Sequence, residues 1–276
     1  MHEPRVKSAT EKKPQILPLC AAQTGIWLGQ QIDAKSPAYW TAEAVELRGN
    51  LDLPRFESAV HKAVAECDAL HARYCSNGES LSQIIDRSAT WLWQVIDFAG
   101  SDEPGADQHA ALATAWQWMH RQLETAADLQ NGPLFASALL RVGHLHYLWF
   151  VQAHHIVLDG FGYALLAQRV SAWYTAPAGF ATPSRIPKSL EAVIDEDLAY
   201  RRSPQFTTDA AFWREYLLFA PGAVTLTAAK PVSRKVRRAR GSVEDTHFQQ
   251  WHCAARQAGV DWPSWILAVI ATWIYR

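Results

Sequence analysis

The sequence predicts an α/β protein, an α+β arrangement in which helices flank a mixed sheet. Three observations carry this reading. Segments of helical and of strand periodicity alternate along the chain instead of falling into blocks. No internal repeat or low-complexity tract interrupts them. The 276 residues, 49% of them hydrophobic, can fill a sizeable core.

The opening residues, MHEPRVKSATEKKPQ, are polar, and residues 1–16 read as a disordered arm. Leu19 to Gln31 then carries apolar residues on a helical period, and Tyr39 to Leu47 alternates as a strand does. Asp52 is placed to cap a helix with Pro54 in its first turn, and Phe56, Val60, Ala63, Val64 and Cys67 follow on one stripe. Between Ala72 and Phe98 short strands are expected around the turn signal Asn77-Gly78. Gln108 to Leu129 reads as a long helix, on which Trp116, Met119 and Leu123 recur every three or four positions.

From Leu134 to Val151 the chain is rich in apolar and aromatic residues, with a turn expected at Gly143 between two antiparallel strands. Three helical stretches follow, Gly162 to Tyr174, Ser189 to Arg202 and Thr208 to Phe219. The basic run SRKVRRARG at 233–241 reads as a solvated connector. Trp262 to Tyr275 is apolar nearly all round, the pattern of a helix buried on every side, yet the sequence stops at Arg276. The expectation is a truncated domain, with Trp262, Trp265, Ile266, Ile270, Trp273 and Ile274 forming a naked apolar face.

A formal net charge of -1 removes the electrostatic case for nucleic-acid binding, which needs a basic face to neutralise phosphates. Cys20, Cys67, Cys75 and Cys253 form no CxxC pair and have no zinc-type histidine spacing, so they read as reduced, mostly buried thiols. The amino terminus lacks the apolar stretch of a signal peptide, and the longest apolar run is too short to span a bilayer. A cytoplasmic protein that does not enter the membrane is expected.

The sharpest local signal is AHHIVLDGFG, with His154, His155, Asp159 and Gly160 directly after the strand Leu145 to Ala153. Neighbouring residues on a strand point to opposite faces, so only one of the two histidines can be the working imidazole. That argues against a chelating pair, and no third ligand stands at metal spacing. Taken alone, the pair is equally compatible with two histidines satisfied inside a core sheet. An imidazole with a pKa near 6.5 suits acyl transfer, in which an amine loses a proton as it attacks a thioester. Asp159 is placed to orient such a histidine or to be a buried ion-pair partner, and Gly160 to allow a tight turn and close backbone approach.

These residues resemble the HHxxxDG motif of the condensation domains of nonribosomal peptide synthetases. Two further stretches agree in order: Cys20 to Trp27 resembles the SxAQxxxW opening of that family, with Cys20 where serine is usual. Asp68 to Tyr74 resembles HExLRTxF, with His71 at the first arginine position and Arg73 at the second. Ser189 to Tyr200 and Ala211-Phe212-Trp213 resemble the two helices that follow, so the similarity runs from about Leu17 to the last residue.

The resemblance implies two chloramphenicol-acetyltransferase-like sandwiches around a tunnel, with residues 17–225 as the amino-terminal lobe and 226–276 as a connector and the start of a truncated second lobe. It implies amide formation between a donor acyl and an acceptor aminoacyl thioester, with His155 facing the reaction channel and Arg73 paired with Asp159. The substrates would ride on the 4′-phosphopantetheine arms of donor and acceptor carrier proteins, and no tightly bound cofactor is expected. Only about sixteen residues precede the first motif, so the donor is expected in trans, as in the opening condensation domain of siderophore synthetases, with an adenylation domain downstream. Heterocyclization domains carry aspartates in place of the histidine pair, and epimerization domains usually lack the AAQxxxW opening. A free-standing acyltransferase acting on a diffusible amine or alcohol, and a catalytically silent carrier-docking module, are the alternatives.

Overall fold

The computed structural model describes residues 14–78, 80–100, 108–177, 189–220 and 241–275. In chain order its first half contains β1 (Gln15–Pro18), α1 (Ala21–Ile32), β2 (Trp40–Arg48), α2 (Leu53–Ala65), β3 (Ala72–Ser76), β4 (Leu81–Ile85) and β5 (Leu92–Asp97). The second half contains α3 (Gln108–Gln122), β6 (Phe135–Gly143), β7 (His146–His154), α4 (Gly160–Thr175), α5 (Leu190–Arg201), α6 (Pro204–Leu218), α7 (Asp245–Gln257) and α8 (Trp262–Tyr275). The chain divides into two units, 1–213 and 214–276, with the division inside α6. The expected boundary at 225/226 and nearly all of the basic run at 233–241 lie outside the described residues. The expected arm is shorter at its described end, because Gln15 already pairs in β1.

In the first unit β2, β7, β6 and β5 form one sheet in that order, antiparallel except for the parallel β5–β6 pair. Parallel neighbours need a crossover, and α3 supplies it. All nine residues of β7 are buried, because helices cover both faces of the sheet. On one face Phe135, Leu139, Tyr147, Trp149 and Val151 join a core with Phe56, Val60 and Val64 of α2 and Leu166 and Val170 of α4. On the other, Ala138, Leu140, Val142, Leu148 and Phe150 meet Ala111, Ala115 and Met119 of α3. The alternation of β6 and β7 divides the two cores.

Asp52 caps α2 by accepting from the Arg55 amide at 3.0 Å, with Pro54 in the first turn. Arg169 of α4 reaches across to both carboxylate oxygens of Glu66, which follows α2. A second sheet, β1–β4–β3, is antiparallel, and its β3–β4 hairpin turns at Asn77-Gly78 with Gly78 at φ 91°.

Two expected boundaries move. α3 stops at Gln122 instead of Leu129, because Leu129 is drawn into the core and its carbonyl accepts from the Tyr74 amide at 2.7 Å. β6 runs through Gly143, and the turn falls on His144 and Leu145, the latter at φ 52°. Gly143 serves close packing instead, since a Cβ there would lie 3.2 Å from Gln108 Nε2. Nor are the thiols buried as expected: Cys253 is exposed and the other three are half-buried.

In the second unit α7 packs against α8. Trp262 stacks on His252 of α7 at 4.2 Å between ring centres and meets Phe248 edge-on at 5.3 Å, so this end of α8 is covered. Trp265 and Ile266 are half-buried, whereas Leu267, Val269, Ile270, Trp273 and Ile274 are exposed. Among the described residues no helix is long and apolar enough to cross a membrane.

The central sheet should carry most of the first unit's stability. Leu139→Ala, at a position 1% exposed, is expected to destabilise it by about 2–5 kcal/mol. Leu92→Ala, at 47% exposure on edge strand β5, should cost far less. Urea unfolding followed by circular dichroism checks the difference.

Candidate functional site

The site grows out of the end of β7. The pairing of β2 with β7 sets Trp40 opposite His154, and one further bond, from the His155 amide to the Tyr39 carbonyl at 2.8 Å, continues the ladder. The chain then turns, with the Val157 amide donating to the His154 carbonyl at 2.9 Å. Ile156, Val157 and Leu158 are buried. From His146 to Leu158, His155 is the only exposed residue.

His154 is fully buried. The side-chain nitrogen of Gln30 donates to the carbonyls of Asp33 and Ser36, at 3.0 and 3.1 Å. Its oxygen therefore faces His154 Nε2, 3.2 Å away, and the proton must sit on Nε2. Nδ1 is left with its lone pair and accepts from the Ile156 amide at 3.3 Å. Burial, with His155 adding a smaller repulsion, pulls the His154 pKa down to about 4. The rings of Tyr39 and Trp40 enclose it at 5.8 and 5.7 Å. A side chain at Gly29 would collide with the Tyr39 hydroxyl.

His155 is held differently. Its Nδ1 lies 3.1 Å from the Leu158 carbonyl, which can only accept, so Nδ1 carries the proton and Nε2 the lone pair. The two histidines are thus neutral in opposite tautomers when deprotonated. One is locked inside, and the other presents a proton acceptor outward.

Asp159 is exposed and caps α4, its Oδ1 accepting from the Gly162 amide at 2.7 Å. Arg73 pairs instead with Asp86, at 3.3 Å. The expected Arg73–Asp159 ion pair is therefore not made, nor does Asp159 orient His155. The physical reason is local: Asp159 sits where helix amides lack partners. The register of β3 against β4 sets Ala72 opposite Ile85, which brings the following Asp86 within reach of Arg73. Gly160 opens α4, and nothing lies within 4 Å of where its Cβ would be. The close approach falls at Gly162, where a Cβ would meet Leu158 Cδ1 at 2.6 Å and Asp159 Oδ1 at 3.2 Å.

A buried polar network supports the turn from the other side. The Tyr74 hydroxyl donates to the Ile156 carbonyl at 3.1 Å and accepts from Gln23 Nε2 at 3.1 Å. Gln23 and Gln83 exchange amide hydrogen bonds of 2.9 and 3.1 Å, and Gln83 also donates to the Pro18 carbonyl at 2.8 Å. Gln23 accepts from the Cys20 amide at 3.1 Å, closing the start of α1. The three segments singled out in the sequence, around Gln23, Tyr74 and His155, thus meet at one turn. His71 lies apart from it, buried, with its Nε2 3.0 Å from the Val64 carbonyl. Gln30, Gln83, Tyr39 and Gly162 went unread in the sequence; only the spacing of Gln30, two helical turns after Gln23, could have signalled it.

No group of three or more His, Cys, Asp or Glu side chains among the described residues is arranged to hold a metal ion. The arrangement offers one exposed imidazole for moving a proton, on a turn fixed from within.

The family model for the condensation domain matches residues 13–276. The chain is 36% identical over 260 residues to a dimodular nonribosomal peptide synthase of Bacillus subtilis, covering 94% of this chain and 11% of the relative. It is 35% identical to an isonitrile lipopeptide synthase of Streptomyces coeruleorubidus, covering 94% of the chain and 17% of the relative. Enterobactin synthase component F of Escherichia coli is 29% identical, over 95% of the chain and 20% of the relative. Among solved structures, the starter condensation domain of rhizomide synthetase, in complex with C8-CoA and Leu-SNAC, superposes with a TM-score of 0.70 at 31% identity, over 78% of this chain and 48% of that one. The first condensation domain of the CDA synthetase gives a TM-score of 0.76 at 24% identity, over 95% of this chain and 62% of that one, a likeness of fold. The chain therefore spans less than two thirds of each of these relatives.

Two outcomes follow from the site's geometry. As a helix cap, Asp159→Ala should cost about 0.5–2 kcal/mol, against the roughly 3–5 kcal/mol of a broken buried ion pair; thermal melts separate the two. His154 binds its proton less readily when folded than when unfolded, so its contribution is complete above pH 6.5 and is lost as the pH falls towards 4. That depression corresponds to roughly 3 kcal/mol. His71, also depressed by burial, acts with the same sign. Urea midpoints should fall between pH 7.5 and pH 5, and His154→Gln should flatten the fall to the share left by His71.

Proposed function

The chain belongs to the condensation domain family, and from that premise we propose that it joins a donor acyl thioester to an acceptor aminoacyl thioester through an amide bond. The carrying observation is that His155 alone is exposed in a buried stretch, with Nδ1 held by the Leu158 carbonyl, which leaves Nε2 as the acceptor of the neutral imidazole. In the proposed step the acceptor amine attacks the donor carbonyl carbon. A carbon–nitrogen bond forms, the carbon–sulfur bond breaks, and the proton lost by the amine passes through His155 Nε2 to the departing thiolate. Nothing is oxidised or reduced. Asp159 caps the helix that opens at Gly160 just after this imidazole, and His154 holds the turn from within.

The substrates are proposed to arrive on the 4′-phosphopantetheine arms of two carrier proteins, the donor in trans, with an adenylation domain downstream and no cofactor tightly bound. The reaction is proposed to take place in the cytoplasm. The names of the relatives support this reading, since all three are synthases of peptides, lipopeptides or a siderophore. So does the starter domain complexed with C8-CoA and Leu-SNAC. Residues 1–276 by themselves are proposed to turn over little. The exposed outer face of α8 and the greater length of the solved relatives support this, because amide formation depends on holding both reactants in line.

The test uses the polypeptide encoded by the native reading frame, with loaded carrier proteins, and reads the amide product by intact-protein mass spectrometry. His155→Ala is expected to lower product formation by about a hundredfold or more with an unchanged melting temperature. Full activity in that variant would overturn the reading, as would product from a diffusible amine in place of the loaded acceptor. Residues 1–276 assayed alongside should give only traces.

A further inference from the structure

Resting on the proposed role of His155, we infer that Gln30 is a positioning residue for acyl transfer, acting through His154 to clamp the Ile156 peptide and so fix where the His155 imidazole projects.

Ile156 follows the working histidine directly and opens the buried run of the turn after β7. Both of its backbone groups are taken by side chains. Its amide donates to His154 Nδ1 at 3.3 Å, and its carbonyl accepts from the Tyr74 hydroxyl at 3.1 Å. Each of those side chains is held in turn by a glutamine of α1, His154 by Gln30 at 3.2 Å and Tyr74 by Gln23 at 3.1 Å. Seven residues are two turns of helix, so Gln23 and Gln30 lie on one face of α1, and both are buried, at 6% and 2% exposure. A single rigid helix therefore grips both ends of the same residue.

The grip by Gln30 also selects a tautomer. Its amide nitrogen is committed to the Asp33 and Ser36 carbonyls, so only an acceptor faces His154 Nε2. The lone pair on Nδ1, which the Ile156 amide needs, exists only in that tautomer. Without Gln30, His154 could place its proton on Nδ1, where it would oppose the Ile156 amide and release the turn. His155 would then lose its set orientation. Its amide hydrogen bond to the Tyr39 carbonyl holds the backbone, and the ring's direction rests on the Leu158 carbonyl, which stands on the same turn and shifts with it.

Gln30→Met keeps the bulk and removes every hydrogen bond. In the native-frame polypeptide it is expected to lower kcat at least about tenfold, with KM little changed, because the reactants still bind but meet a displaced imidazole. In residues 1–276, long-range proton–nitrogen correlation of the histidine rings should show His154 as the Nε2–H form and His155 as the Nδ1–H form. In Gln30→Met both should become tautomer mixtures. If kcat per folded molecule and the His155 tautomer are both unchanged while only the melting temperature drops, Gln30 is a structural residue and the inference is overturned. An active His155→Ala variant would instead defeat the proposed function itself, so the two failures are distinguishable.

Discussion

The pairing of β7 between β2 and β6 is the constraint on which the site depends. A strand with neighbours on both edges and helices over both faces has no freedom of register, because a slip of one residue would move every side chain to the opposite face. Its last residue, His154, is therefore fixed inward, and the next is forced outward at the place where Tyr39, just before β2, offers its carbonyl. Two identical side chains next to each other thus receive opposite surroundings. One becomes a neutral core group with its pKa pulled down to about 4. The other keeps its imidazole at the surface.

α1 shows how much polar material a core will accept when it is fully paired. The helix buries Gln23 and Gln30 while Leu28 and Ile32 are 54% and 88% exposed, the reverse of what solvation alone would choose. Each buried amide is satisfied by a mutual pairing with Gln83, by backbone carbonyls, or by Tyr74 and His154. Unpaired, each would cost about 1–3 kcal/mol. A network of this kind contributes less to stability than an apolar core of equal volume would, but it admits one arrangement only. That property fixes the turn that carries His155.

Asp159 and Arg73 illustrate the precedence of near partners over distant ones. A carboxylate one position before a helix meets unpaired amides without any further ordering of the chain, and an arginine on a hairpin meets the carboxylate that the register brings diagonally within reach. Charge complementarity across the fold does not override either, because the local partners already satisfy both charges.

By itself the sequence determined the kind of most elements, though not of β1 or α7, together with the family and the opposite facing of the two adjacent histidines. These follow from periodicity and from short motifs, which are local properties of the chain. The helical period runs on to Leu129, whereas α3 ends at Gln122, because Leu129 leaves the helix for a core contact that no local preference encodes. Which histidine proton sits on which nitrogen, that Gly162 and not Gly160 is the crowded glycine, and that two glutamines of α1 converge on Ile156 were decided only by tertiary structure. Each of these depends on hydrogen-bond partners far apart in the chain, 124 residues in the case of Gln30 and His154, and direction and distance between such groups exist only once the chain is folded.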